Sequence, residues 1–170
     1  YIEANFKGKD VFVLGHSMGS ILARKLVLDF PDFYKKAVFS GTAYSSKMLV
    51  FVGRILMRII RLFKGPKYVS RLIQNMTIDA NSIKMRKDGH ITGIDEEWLT
   101  RDVEIQQYYH NSKMCGQPFT LQANFDLTQW VSFIDNKKNI AGGNLKMPIF
   151  LASGDTDPLS NYGKDIKRLF

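Results

Sequence analysis

The chain has 170 residues, 45% hydrophobic and 24% charged, which are the proportions of a water-soluble globular protein with room for one sizeable core. Its formal net charge is +8, but no nucleic-acid-binding motif accompanies the basic residues, so partners of that class are not expected. The single Cys115 excludes an internal disulfide, and Tyr1-Ile2-Glu3-Ala4-Asn5 carries no leader-like apolar run; a reducing, cytoplasmic setting is expected.

Phe6-Lys7-Gly8-Lys9-Asp10 reads as a loop leading into Val11-Phe12-Val13-Leu14, an unbroken apolar run of the kind expected in a strand buried on both faces. The chain then turns through Gly15-His16-Ser17-Met18-Gly19. Ile21 to Leu28 follows, helix-prone and free of Gly and Pro. Gly-x-Ser-x-Gly between a strand and a helix is a nucleophile elbow. The bend is expected to strain the backbone at Ser17 and hold its hydroxyl clear of the sheet. Gly15 and Gly19 are expected because strand and helix pass too closely for side chains there. The Met18 amide opens the helix, where unpaired N–H groups favour an anion, and is a candidate oxyanion donor. A Gly-rich turn whose Ser merely caps the helix would carry the same five letters.

Pro31 ends that helix, and Ala37-Val38-Phe39-Ser40-Gly41 is a second buried strand. Strand, helix, strand at this spacing predicts a βαβ unit with parallel strands. No convincing strand follows from Tyr44 to Thr120. Ser45-Ser46 can cap a helix from Lys47 to Phe63, on which Lys47, Arg54, Arg58 and Arg61 share an arc of about 60° while apolar residues cover most of the rest. No Asp or Glu occurs between Phe33 and Ile78. A wide apolar face with a basic stripe suits transient contact with a membrane surface; a buried cap helix with a solvated basic edge gives the same pattern. Further helices are expected over Lys67–Asn75, Asn81–Met85, Asp95–Trp98 and Asp102–Tyr109. A long helix is expected from Leu121 or Asp126 to Asn136, and another begins at Asn161 and runs to Phe170.

Pro148-Ile149-Phe150-Leu151-Ala152 is a third buried strand, ending in Ser153-Gly154-Asp155-Thr156-Asp157-Pro158. A Ser nucleophile needs a base, and the base an orienting acid. In open parallel sheets such groups gather at the carboxyl ends of strands. Asp155 and Asp157 both stand just past one; either could equally be a turn-forming Asp bonded to its own backbone. Ser followed by Asp is the chain order of α/β-hydrolases.

With these residues in view, the chain resembles bacterial α/β-hydrolases of the monoacylglycerol lipase and lysophospholipase group, also catalogued as serine aminopeptidase-like. Gly15-His16-Ser17-Met18-Gly19-Ser20 is similar to that group's elbow, and Ser153 to Pro158 to its acid loop. Trp98-Leu99-Thr100-Arg101-Asp102 and Cys115 to Thr120 are similar to cap segments. The resemblance implies a partial α/β-hydrolase fold: residues 1–43 the first part of the core, 44–120 a helical cap over an acyl pocket, and 121–170 the second part. It implies Ser17 as nucleophile, the Met18 amide as oxyanion donor, and Asp157 as acid with Asp155 as runner-up. The family's His lies beyond the helix that starts near Asn161. His16, His90 and His110 do not fill its role, so the chain is expected to be an internal fragment, inactive alone. The implied substrate is a small acyl ester of lipid type, with no metal or organic cofactor. The alternatives are an aminopeptidase- or thioesterase-type reaction, or a non-catalytic binding protein.

Overall fold

The computed structural model describes residues 1–144 and 146–169. After a one-turn helix α1 (Ile2–Asn5), the chain forms β1 (Val11–His16), α2 (Met18–Asp29) and β2 (Tyr34–Ser40). A helical segment follows: α3 (Lys47–Lys64), α4 (Arg71–Thr77), α5 (Asp79–Lys87), a 3₁₀ turn at Asp95–Trp98, and α6 (Val103–Asn111). Then come α7 (Leu121–Ile134), α8 (Lys137–Ala141), β3 (Ile149–Ala152), a 3₁₀ turn at Pro158–Ser160, and α9 (Ile166–Leu169).

The strands form one parallel sheet in the order β1-β2-β3. Its register brings His16, Ser40 and Ala152 side by side at the carboxyl ends. Side chains alternate across a strand, and α2 takes one face. Ala23 and Val27 pack there on Ala37 and Phe39, with Val13, Leu151 and Met147 around them. The other face carries Phe12, Leu14 and Phe150, which are 60%, 71% and 65% exposed. The expectation that the first strand is buried on both faces therefore holds for one face only. A run of consecutive apolar residues reveals no face preference; among the described residues only the α2 side is covered.

Capping explains most shifts of helix boundaries. α4 starts at Arg71 rather than Lys67 because Ser70 Oγ accepts from the Ile73 amide at 3.4 Å. Asp102 Oδ1 accepts from the Glu104 and Ile105 amides and opens α6. Thr120 Oγ1 accepts from the Ala123 amide at 3.2 Å, which settles the start of α7 at Leu121. Each such bond satisfies a backbone donor that the helix itself leaves free. The helix expected from Asn161 begins later. Asn161, Tyr162 and Gly163 all have positive φ (51°, 58° and 77°), which a right-handed helix does not accommodate, so α9 starts only at Ile166. The expected end of that helix at Phe170 lies outside the described residues.

A second apolar cluster joins Met57 of α3, Ile73 of α4 and Leu121 of α7, with Leu56, Ile60 and Phe125 against it. A buried ion pair ties the two parts of the chain together. Arg24 Nη2 on α2 lies 2.5 Å from Asp135 Oδ1 at the end of α7, and Arg24 Nη1 donates to the Ala43 carbonyl at 3.0 Å. Asp135 Oδ2 also accepts from the Ser45 amide.

Candidate active site

Ser17 has φ 52° and ψ −123°, a conformation that non-glycine residues rarely adopt. It stands between the last residue of β1 and the first of α2. Its hydroxyl makes no capping bond to the helix, so the plain helix-cap reading of the motif does not describe this serine. Its amide instead donates to the Ser40 carbonyl at 2.8 Å, which fixes the bend against β2. Ser20 is fully buried and donates to the Ser17 carbonyl through its amide at 2.9 Å and through its hydroxyl. The bend is thus held from both sides, as a strained conformation must be to persist. Met18 occupies the first position of α2, where its N–H has no partner within the helix.

The two motif glycines differ. A Cβ built on Gly15 would lie 2.3 Å from the Gly19 carbonyl oxygen and 2.7 Å from Ala23 Cβ. Strand and helix do pass too closely there for a side chain. A Cβ on Gly19 would meet nothing within 4 Å. The steric reason expected for both applies to Gly15 alone, because Gly19 contributes its carbonyl to the contact while its own Cβ position faces open space.

The acidic loop after β3 stands on the same rim. The Gly41 amide donates to the Ala152 carbonyl at 2.9 Å, carrying the row of strand ends across to the loop. A Cβ on Gly41 would lie 3.3 Å from the His16 ring and 3.6 Å from Asp157 Oδ2, so ring and carboxylate both reach to this one glycine. Asp157 is half-buried. Its Oδ1 accepts from the Leu159 amide at 2.9 Å, and its Oδ2 accepts from the Ser153 hydroxyl at 3.1 Å. One oxygen therefore anchors the loop, and the other stands beside Gly41. Asp155 is exposed and pairs with Arg101, 3.2 Å away. The two candidate acids, which the residue pattern left open and the resemblance ranked with Asp157 first, thus have different surroundings.

A cleft of about 620 Å³ joins these groups. Ser17, His16 and Gly41 line it from the sheet, and Asp155 and Asp157 from the acidic loop. Trp98, Leu99 and Arg101 line it from the helical segment. Arg101 crosses to the acidic loop, donating to Asp155 Oδ1 and Thr156 Oγ1 at 3.2 Å each.

His16 and His90 line the cleft, and His110 lies against Glu96. His16 Nδ1 shares a hydrogen bond with Ser40 Oγ at 3.2 Å. His90 stands edge-on to Tyr162, ring centres 5.0 Å apart. His110 Nδ1 lies 3.1 Å from Glu96 Oε2, off line for a hydrogen bond. Among the described residues no histidine hydrogen-bonds the Ser17 hydroxyl. Beside His90, the Tyr162 phenol is pushed up to about 12 by desolvation, then by its hydrogen bond to Asp88 and the charge of that carboxylate. Tyr162 donates to Asp88 Oδ2 at 2.6 Å, and Lys84 donates to Asn161 at 2.8 Å, so α5 is tied to the loop after the acids. Sequence reasoning missed this tether and the Arg24–Asp135 pair. No periodicity marks a polar residue whose partner is distant in the chain. Among the described residues no group of His, Cys, Asp or Glu side chains converges as a metal site requires, and no helix is long and apolar enough to cross a membrane.

A serine raised on the bend between a parallel strand and its helix, at the rim where the other strands also end, places the fold among the α/β-hydrolases. Within that class, the chain belongs to the family described as Serine aminopeptidase, S33, which matches residues 1–170. No curated protein matches it. Among solved structures it is similar to a thermostable carboxyl esterase from Bacillus coagulans, with TM-score 0.84 and 17% identity over 99% of this chain and 53% of the esterase. A lipase in an open form has TM-score 0.77 and 19% identity, over 99% of this chain and 54% of the lipase. A soluble variant of monoglyceride lipase from Saccharomyces cerevisiae has TM-score 0.64 and 15% identity, over 98% of this chain and 51% of that lipase. The chain spans about half the length of each of these relatives.

Proposed function

We propose that the chain carries the nucleophile and the acid of a serine hydrolase that cleaves carboxylic esters of lipid-like substrates, a monoacylglycerol or a lysophospholipid, through an acyl-enzyme. A histidine base takes the Ser17 proton as Ser17 attacks the ester carbonyl, the Met18 amide donates to the oxyanion, Asp157 orients the base, and the alcohol leaves with that proton. Water then releases the acid. The base is a histidine from outside these residues: His16 is bonded to Ser40, His90 stands edge-on to Tyr162, His110 lies against Glu96, and among the described residues none hydrogen-bonds the Ser17 hydroxyl. The helical segment from Tyr44 to Thr120 acts as a cap over the acyl pocket, with Trp98 and Leu99 on its cleft-facing side.

The observation that carries this reading is the backbone of Ser17: a left-handed serine with an uncommitted hydroxyl, beside a cleft that also holds a carboxylate loop. The test is a matched pair of substrates, a monoacylglycerol and an aminoacyl amide, offered to the active enzyme containing these residues. Ester cleavage that falls by about a thousandfold or more in Ser17→Ala is expected. Preferential cleavage of the amide would move the reaction to the aminopeptidase type. Ester cleavage that survives Ser17→Ala would end the proposal.

A further inference from the structure

Helix α3 turns the pattern of an ordinary surface helix inside out. Its buried residue is Met57, packed with Ile73 and Leu121. Projected at about 100° per residue, Phe51, Val52, Ile55, Ile59, Leu62 and Phe63 share an arc of about 120° on the side away from that contact. No polar side chain falls within the arc. All six residues are exposed, Leu62 and Phe63 by 83% and 81%. A soluble domain seldom leaves so continuous an apolar strip in water without a partner.

The charge beside the strip indicates the partner. Arg54, Arg58 and Arg61 lie along one flank, with their guanidinium carbons 5.2–5.7 Å from the centre of the Phe125 ring on α7. Arg61 also donates to Gln122 Oε1 at 2.6 Å. The arginines are therefore held in a row by α7 rather than spread freely in solvent. The whole stretch from Phe33 to Ile78 adds Lys35, Lys36, Lys47, Lys64, Lys67 and Arg71, and contains no acidic residue. A second copy of this chain packed antiparallel on the strip would set basic flank against basic flank. An apolar strip bordered by fixed cations fits a bilayer surface bearing anionic headgroups.

We propose that α3 is an interfacial helix that docks the protein on anionic lipid surfaces. The apolar arc enters the headgroup–acyl boundary, and Arg54, Arg58 and Arg61 meet lipid phosphates at its edge. This docking does not depend on Ser17 acting as a nucleophile.

The test is co-sedimentation of the unaltered protein containing these residues with vesicles of phosphatidylcholine alone, and with vesicles containing about one third phosphatidylglycerol. The ratio of bound to free protein is expected to be at least about tenfold higher on the anionic vesicles. Raising the salt from about 0.1 M to about 1 M, which shortens the screening length from about 10 Å to about 3 Å, should remove most of that gain. The double variant Leu62→Gln/Phe63→Gln, its helicity checked by circular dichroism, should lose at least about tenfold in binding through lost apolar burial. Equal binding to both vesicle types, binding to neither, or undiminished binding by the double variant would each overturn the proposal. So would light scattering that shows a dimer no longer able to bind vesicles, since the strip would then be an interface between copies.

Discussion

Replacing Gly15 and Gly19 separately by Ala measures how closely β1 and α2 must approach at the elbow. At Gly15 the added methyl falls 2.3 Å from a backbone oxygen of α2 and 2.7 Å from Ala23 Cβ. Gly15 does not have positive φ, so the cost is one of space, not of backbone conformation. The Gly19 carbonyl is held in the helix and cannot yield alone. α2 must lift from the sheet, loosening the packing of Ala23 and Val27 on Ala37 and Phe39. Overpacking of a close-fitting core costs about 1–3 kcal/mol, and a methyl meeting backbone belongs at the upper end, about 3 kcal/mol. At Gly19 the methyl meets nothing within 4 Å, and Ala is favoured over Gly inside a helix by up to about 1 kcal/mol. The two variants should therefore differ by about 3–4 kcal/mol. With a urea slope of about 2 kcal/mol/M, their unfolding midpoints separate by about 1.5–2 M. A Gly15→Ala protein within about 0.5 kcal/mol of the original would refute the reasoning, as would a Gly19→Ala protein equally weakened.

Asp135→Ala leaves the Arg24 guanidinium buried without its counter-charge and should cost about 3–5 kcal/mol in chemical denaturation, whereas Arg24→Met with Asp135→Leu should recover most of that loss. A double variant no more stable than the single one would show that the pair's charge is not what matters there. At the proposed site, Asp157→Ala should lower ester kcat/KM of the active enzyme by about a thousandfold or more. Asp155→Ala, which removes an exposed pair with Arg101, should change it by less than about threefold; the reverse order in steady-state assays would transfer the acid's role to Asp155. The Tyr162 phenol is held neutral in the folded protein up to about 12, above its ordinary value near 10. The stability this contributes is present below pH 10 and is lost as the pH rises through that window, because only the unfolded chain releases the proton readily. Tyr162→Phe should flatten the alkaline fall in unfolding free energy, and an unchanged fall would remove Tyr162 as its source.

Much of the site was legible in the sequence because its parts are local. A strand, a five-residue bend and a helix are specified within some twenty residues, and the strained Ser17 follows from that short stretch. The parallel pairing of β1 with β2 follows from the helix between them. Caps were poorly legible: Ser46 stands at the N-cap of α3 but its side chain makes no capping bond, while the caps that form, Ser70, Asp102 and Thr120, were not read as caps.

Amino-acid order alone determined the elbow, the parallel sheet, the helical stretch between its second and third strands, and the positions of the acids. Tertiary structure alone decided which glycine is sterically required, and that Asp157 turns one oxygen toward Gly41 while Asp155 pairs with Arg101. It also decided that α3 presents its apolar arc to solvent, and that Arg24 finds its partner 111 residues away. The division has one physical cause. Backbone conformation responds to near neighbours in the chain, whereas which face is covered and which charge is matched depend on elements that meet only after the chain has folded.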